Sequence, residues 1–219
     1  MPTAEERRAE LVDLYREVRA CRLCPLSETR TQAVFGAGDA DADLMFVGEA
    51  PGAQEDAQGI PFVGRAGKLL DELLAENGLA RGDVFIANVL KSRPPGNRDP
   101  EPVEIEACKP YLYRQVELIE PTVICTLGNF ATKLLTRSAT GISRVHGVPQ
   151  VHQVGGRAVQ VFPIFHPAAG LRTPRVKEQL REDFAKLPAL LAAGPPPQPA
   201  TGAPDTAPPP ADDQLGLFG

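Results

Sequence analysis

The chain has 219 residues, of which 42% are apolar and 23% charged, and its formal net charge is −5. This length suits one or two domains, and the charge excludes a surface coated with basic side chains without excluding a small basic groove. No run approaches the roughly eighteen apolar residues of a membrane span, and the charged N-terminal segment is unlike a secretory signal, so we expect a cytoplasmic protein.

The spacing of apolar residues predicts helices that alternate with short, continuously apolar strands. In chain order these are a helix over 4–19, a strand over 44–47, a helix over 68–76, a strand over 84–90, a helix over 103–118, a strand over 121–127, a helix over 130–135, a strand over 159–165 and a helix over 177–191. Such strands are typical of a parallel sheet covered on both faces. The sequence therefore predicts an α/β protein, a three-layer αβα sandwich around a mostly parallel, four-stranded sheet.

The composition changes sharply near Ala193. Residues 195–219 contain eight prolines, three aspartates and no basic residue. A segment of this kind cannot bury enough apolar surface to offset the entropy lost on ordering, so it is predicted to be disordered. We therefore expect one folded domain over 1–193, followed by a proline-rich tail over 194–219.

Polar residues stand where the predicted strands end. Ligands of a parallel sheet bind beyond the carboxyl ends of its strands, which places Gly48, Glu49, Asn88 and His166 along one rim. Phe62 lies in a nearby loop and can stack on a planar ligand. Each residue taken alone also fits an ordinary role: a turn glycine, a solvated glutamate, a core phenylalanine, or a hydrogen-bonded asparagine or histidine. Their convergence on one rim favours a binding site.

Basic residues follow the second and fourth strands on the same rim. Lys91, Arg93 and Arg98 lie in a stiff, proline-rich loop, and Arg172 follows the last strand. Cations in this position suit phosphate groups, although a solvated loop would have the same composition.

The four cysteines are the other candidate site. Cys21 and Cys24 form a CxxC pair after the first helix, Cys108 lies in a predicted helix, and Cys125 lies in a predicted strand. They can be one weak pair and two buried thiols, or a closed four-thiolate site for zinc or an iron–sulfur cluster. The wide spacing of the second pair favours a cluster held between secondary-structure elements.

These residues belong to a recognisable set of motifs. The set comprises Cys21-x-x-Cys24, Gly48-Glu49-Ala50-Pro51-Gly52 with Glu55-Asp56, Pro61-Phe62-Val63-Gly64, Asn88-Val89 with Lys91-Ser92-Arg93-Pro94-Pro95, Cys108, Cys125 and His166-Pro167. Over about residues 10–190 the chain resembles the family 4 uracil-DNA glycosylases, the iron–sulfur enzymes of their superfamily. The resemblance implies a four-stranded parallel sheet between helices and a structural [4Fe–4S] cluster on the four cysteines. It also implies a bacterial, nucleoid-associated DNA-repair hydrolase that acts on uracil-containing DNA, single- or double-stranded.

The resemblance gives each rim residue a role. A uracil must leave the stack before its glycosidic bond is cut, and it departs as an anion with charge on O2. His166, even as a neutral imidazole, can donate a hydrogen bond to O2, and Asn88 can accept from N3–H and donate to O4. Phe62 can stack on the ring, the Gly48 backbone can approach it, and Glu49 can position water or stabilise the cationic sugar.

Two departures and two other function classes stay open at this point. A related class that binds uracil-DNA covalently has glutamine in place of Ala50 and an inserted Lys-Arg-Arg-Ile-His loop, and this chain has neither feature. Family 1 enzymes have aspartate in place of Ala50, which this chain also lacks. A non-catalytic nucleic-acid module with a structural metal would not release uracil. A small electron carrier would not need the polar rim.

The tip of the predicted tail is apolar. It carries Gln214, Leu215, Leu217 and Phe218, which resemble the peptide by which bacterial proteins bind the DNA polymerase sliding clamp. Exposed apolar residues at the end of a disordered segment usually mark a partner site. The sequence therefore predicts a monomeric enzyme tethered to the clamp.

Overall fold

The structure, a computed structural model, describes residues 2–199 and contains one sheet with the strand order β1-β3-β2-β4-β6-β5. Its strands are β1 (Ala37–Gly38), β2 (Leu44–Gly48), β3 (Phe85–Asn88), β4 (Val123–Leu127), β5 (Gln150–Val154) and β6 (Arg157–Ile164). β2, β3, β4 and β6 run parallel, whereas β1 and β5 pair antiparallel at the two edges. The predicted parallel core of four strands is confirmed. The two antiparallel edge strands were not predicted.

The two edge strands lack the apolar pattern on which the strand predictions depend. β1 has only two residues, which is too short for any pattern. β5 mixes polar and apolar residues because it is partly solvated, and its Val151 is exposed. Neither strand has the continuous apolar run of a strand buried on both faces.

Ten helices surround the sheet within the described residues. They are α1 (Ala4–Ala20), α2 (Leu26–Thr29), α3 (Ala53–Gln58), α4 (Arg65–Glu76), α5 (Pro102–Ile119), α6 (Asn129–Thr136), α7 (Ile142–Val145), α8 (Pro167–Gly170), α9 (Pro174–Phe184) and α10 (Leu187–Ala192). The helix predicted over 177–191 is in fact two helices. Pro188 lacks the N–H that a continuous helix would need at this point, so α9 ends at Phe184 and α10 begins at Leu187.

Two separate hydrophobic cores cover the two faces of the sheet. Successive side chains of a strand point to opposite faces, so on β4 Ile124 faces the core formed with α1, α5 and α6. Cys125 faces the other core, formed with α4, α9 and α10, beside Phe162 on β6. Each large apolar side chain fully buried in these cores contributes about 1.5–3 kcal/mol. This layering confirms the predicted αβα sandwich.

Residues just after the predicted boundary at residue 193 contact β6. The Gln198 side-chain amide donates to the carbonyl of Ala158 and accepts from its N–H, as a strand neighbour would. Gln160 donates to the carbonyl of Gly194. Residues 200–219 lie outside the described residues, and with them the predicted clamp-binding Gln214, Leu215, Leu217 and Phe218.

None of the helices in residues 2–199 combines the length and apolar character that a membrane span requires.

Candidate functional site

A cavity of about 570 Å³ lies beyond the carboxyl ends of the parallel strands. It is lined by Glu49, Ala50, Pro51, Gly52, Glu55, Phe62, Ala66, Asn88, Pro94, Asn97, Arg98, Asp99, His166, Ala168 and Arg172. The rim residues that the sequence predicted to converge are therefore brought together here. Gly48 contributes from behind the wall, where it shapes the position of two of these side chains.

Gly48 and Asn88 lie side by side at the ends of β2 and β3. A Cβ atom on Gly48 would stand 2.4 Å from Asn88 Oδ1 and 2.8 Å from Phe62 Cζ, so only glycine fits between them. Asn88 is 2% exposed, and its Oδ1 has no hydrogen-bond partner among the described residues. A buried acceptor without a donor costs about 1–3 kcal/mol, which a bound donor would recover.

Phe62 is held in the left-handed backbone region, with φ of 53°. A Cβ on Gly67 would lie 1.7 Å from the Phe62 carbonyl oxygen, so the first turn of α4 packs directly against this backbone. The Phe62 ring stacks on His166, with ring centroids 5.6 Å apart and planes 26° apart. This strained loop therefore places an aromatic face in the wall of the cavity.

Glu55 organises the loop that carries Phe62. Its carboxylate accepts hydrogen bonds from the N–H groups of Gly52, Val63 and Gly64, at 3.0–3.1 Å. One residue thus ties the turn after β2 to the turn before α4. No site role was predicted for it, although a glutamate three residues after the cap position is a known helix-start signal.

His166 precedes α8, and its Nδ1 accepts a hydrogen bond from the N–H of Ala168 at 3.1 Å. An accepting Nδ1 leaves the proton of a neutral imidazole on Nε2. Burial lowers the pKa of His166 to about 4, and the Glu55 carboxylate opposes that shift only partly. At neutral pH His166 is therefore an uncharged donor with a fixed tautomer.

Glu49 stands half-buried at the cavity wall, directly after β2. Burial raises its pKa to about 7, with a further contribution from the nearby Asp99 carboxylate. Glu49 therefore changes its charge in the physiological pH range, which is typical of functional carboxylates.

The four predicted phosphate-binding cations have different surroundings. Arg172 is exposed at the cavity, whereas Arg98 forms a two-pronged ion pair with Glu104. Arg93 is half-buried and donates to Asn97 at 2.7 Å. All three lie near the rim, but Arg98 is already neutralised by its partner.

The prediction that Lys91 contacts DNA is wrong. Lys91 is 2% exposed, and its Nζ donates to the Asn88 carbonyl at 2.8 Å and to Gln115 Oε1 at 2.6 Å. Burial lowers the pKa of Lys91 to about 7. Lys91 holds the end of β3 through these two hydrogen bonds. The sequence does not predict this role, because the long side chain of a lysine in a basic loop can point either to solvent or to the core.

Three of the four cysteines come together and the fourth does not. Cys21 and Cys24 follow α1 and face Cys108 on α5; burial raises the pKa of the Cys108 thiol to about 11, with smaller contributions from the other two thiols. Cys125 lies in the core on the opposite face of the sheet, where burial and Asp183 raise its pKa. The expected set of four is therefore corrected to a set of three.

The three thiols do not form a site for a single ion as they stand. No three His, Cys, Asp or Glu side chains in residues 2–199 are placed so that they could hold one metal ion. The ligands of an iron–sulfur cluster stand further apart, because each cysteine binds a different iron atom. A cluster would therefore use thiols that are spaced more widely than the ligands of one tetrahedral zinc ion.

Comparison with known proteins identifies the family of this fold and cavity. Residues 35–187 match the uracil DNA glycosylase superfamily. This chain belongs to that superfamily. It is 50% identical to a type-4 uracil-DNA glycosylase of Archaeoglobus fulgidus over 181 residues, which cover 81% of this chain and 91% of the relative.

Two further relatives agree. Type-4 uracil-DNA glycosylases of Saccharolobus solfataricus and Thermotoga maritima are 48% and 43% identical to the chain. The matches cover 82% and 84% of this glycosylase, and 85% and 96% of the relatives. The prediction of a family 4 uracil-DNA glycosylase, a DNA-repair hydrolase, is confirmed; the roles of its individual residues stay predictions.

Proposed function

We propose that this glycosylase takes uracil out of the DNA stack into the cavity, hydrolyses its N-glycosidic bond, and leaves free uracil and an abasic site. The observation that carries the proposal is the buried, unpartnered Asn88 Oδ1 in a wall that also presents Phe62 and neutral His166. A flat, polar-edged base is the ligand that such a wall suits.

Asn88 reads the edge of the base. Its Oδ1 accepts from uracil N3–H while its amide donates to O4. Cytosine has a lone pair at N3 and an amino group in place of O4, so both contacts become repulsive. Rejection follows because the buried amide is left unpaired by the wrong base.

His166 stabilises the departing base. The Nε2–H of the neutral ring donates to O2, where negative charge develops as the bond to the sugar breaks. A preorganised donor of this type contributes about 3–4 kcal/mol. Phe62, which stacks on His166, supports the flat face of the uracil ring. Gly48 has no side chain and so leaves room for the Phe62 ring.

Glu49 acts on the sugar side of the bond. As a carboxylate it stabilises the positive charge that develops on the sugar, and its oxygens can hold the attacking water. Arg172 and Arg93 are the proposed contacts to the DNA backbone, with Arg98 at the edge of the same surface. The proposed substrate is uracil-containing DNA, single- or double-stranded.

Incubation with a uracil-containing oligonucleotide, followed by alkaline cleavage of abasic sites, tests this function. Strand cleavage at the uracil position with release of free uracil is expected. A shifted complex without release would instead indicate a covalent or non-catalytic uracil-DNA-binding protein. The absence of both binding and release of uracil would contradict the proposed use of this cavity.

The pH profile of excision should report Glu49. Because the carboxylate is the active form and its pKa is about 7, kcat/KM is expected to rise with pH, with a midpoint near 7 and a plateau above it. Asp99→Asn removes a charge that raises this pKa, so the midpoint should move to lower pH. Steady-state rates of both proteins between about pH 5 and 9 measure the shift.

The matched variant is Glu49→Gln, which should be slow and lose the rise near neutral pH. A rise that persists in Glu49→Gln, or a midpoint that does not move in Asp99→Asn, would contradict the assignment.

We also propose that residues 1–193 form the catalytic domain and that 194–219 is a tether, whose first residues are attached to β6 through Gly194 and Gln198. A proline-rich chain is extended and can present Gln214, Leu215, Leu217 and Phe218 far from the body. The proposed partner is the DNA polymerase sliding clamp. Tethering raises the local concentration of a monomeric, nucleoid-associated enzyme at newly made DNA.

Deletion of residues 213–219 is expected to abolish binding to the clamp, because the apolar anchors are lost. Calorimetry with purified clamp measures this, and Leu217→Ala with Phe218→Ala should have the same effect. Excision from a short oligonucleotide should be unchanged, since the cavity lies at the sheet rim. Equal clamp affinity of deleted and intact proteins would refute the tether.

The proposed cofactor is the [4Fe–4S] cluster that the resemblance implies. Cys21, Cys24 and Cys108 would hold it between the loop after α1 and α5, where it would supply structural cross-linking. No step of the excision described above passes through it.

A further inference from the structure

We infer that the metal site of this chain has three thiolates and that Ser92, rather than Cys125, supplies the fourth side chain. The inference rests on the proposed cluster. It adds the identity of the fourth ligand, which differs from the other three.

Ser92 is tied to the CxxC loop by one guanidinium group. Its side chain is buried, with the residue 3% exposed, and its Oγ accepts from Arg30 Nη1 at 3.0 Å. Arg30 Nη2 donates to the carbonyl of Cys21 at 2.8 Å. The hydroxyl of Ser92 and the backbone of Cys21 are therefore two neighbours of the same planar group.

Ser92 is also next to the third thiol. The backbone N–H of Lys91, the residue directly before it, donates to Cys108 Sγ at 3.4 Å. The carbonyl of Lys91 is fixed in turn by the N–H of Val34 at 2.8 Å. The loop after β3 is thus tied both to the CxxC loop, through Arg30, and to α5, through Cys108, which places Ser92 beside these elements.

Cys125 cannot take this place. It points to the opposite face of the sheet from Cys108, beside Phe162 and under the charge of Asp183 on α9. The sheet backbone stands between it and the other thiols, so reaching them would require the strand to turn over. A one-residue change of register would be needed, and the buried residues on both faces of β4 oppose it.

The chemistry of the fourth corner follows from the ligand. A serine oxygen is a harder and weaker ligand for iron than a thiolate. The iron at Ser92 should therefore be the one lost on oxidation. The step is [4Fe–4S]²⁺ → [3Fe–4S]⁺ + Fe²⁺ + e⁻, with the electron taken by added ferricyanide, which is reduced to ferrocyanide.

The test compares the intact protein with Ser92→Cys, Ser92→Ala, Cys125→Ala and Cys108→Ala, the last as the control for loss of a thiolate ligand, all purified without oxygen. Iron and sulfide are counted per chain, and electron paramagnetic resonance follows the three-iron product during titration with ferricyanide. We expect Cys125→Ala to match the intact protein in iron content and in the oxidant needed. Ser92→Cys should keep about four irons and resist oxidation, and Ser92→Ala should hold about three.

Loss of iron in Cys125→Ala to the extent seen in Cys108→Ala would overturn the inference, as would identical ferricyanide titrations of Ser92→Cys and the intact protein. Circular dichroism shows whether each variant is folded. An intact protein with stoichiometric zinc and no iron would overturn the cluster itself. Uracil release by the same preparations is a separate readout, so failure of the proposed excision is distinguished from failure of the ligand assignment.

Discussion

Asn88→Asp is expected to lower kcat/KM for uracil excision by about 10²-fold or more and to narrow the preference for uracil over cytosine. The carboxylate cannot donate to O4, so one of the two contacts that read the base is lost. The site is buried, and a carboxylate there would also face O4 with like charge. Single-turnover rates on matched oligonucleotides with uracil or cytosine at one position measure both effects.

Asn77→Asp is the matched control, because it makes the same chemical change where the amide only donates to the Leu73 carbonyl at the end of α4. It should retain excision and selectivity. If Asn88→Asp also kept full activity and full selectivity, the assignment of Asn88 to the base edge would be wrong.

Asn88 can be identified from the sequence because it interrupts an apolar run. A polar side chain at the end of a strand buried on both faces needs a partner, and the structure leaves its Oδ1 without one among the described residues. The same reasoning places Glu49 and His166 on the rim, because parallel strands bring their carboxyl ends to one edge. The positions of polar residues at strand ends are therefore predictable from the order of residues alone.

The errors concern side-chain direction. Cys125 and Ile124 are both apolar and buried in the same strand, and only the packing of helices decides which face meets α5. Lys91 follows the strand like a solvated lysine, yet Gln115 on α5 offers a buried acceptor that no local pattern reveals. The local pattern of residues predicts that side chains alternate between the two faces of a strand. Which helix each face packs against depends on the tertiary fold.

His166→Gln is expected to lower kcat by about 10²–10³-fold with a small change in KM. The reason is that the donor to O2 matters most once the base carries negative charge, so the loss falls on the transition state. Because the pKa of His166 is about 4, its protonation should not shape the rate above about pH 5, and the rise governed by Glu49 should remain in the variant. Rapid-quench rates at saturating enzyme separate the chemical step from binding.

His146→Gln provides the comparison, since His146 pairs with Asp183 at 2.8 Å and does not line the cavity. It should excise uracil at the normal rate, because its ring stabilises the contact between α7 and α9 and touches no base. A loss in His166→Gln that appeared only in KM would instead assign His166 to binding through its stacking on Phe62. An equal loss in both variants would trace the effect to the fold, because the His146 ring packs against Phe165, the residue directly before His166.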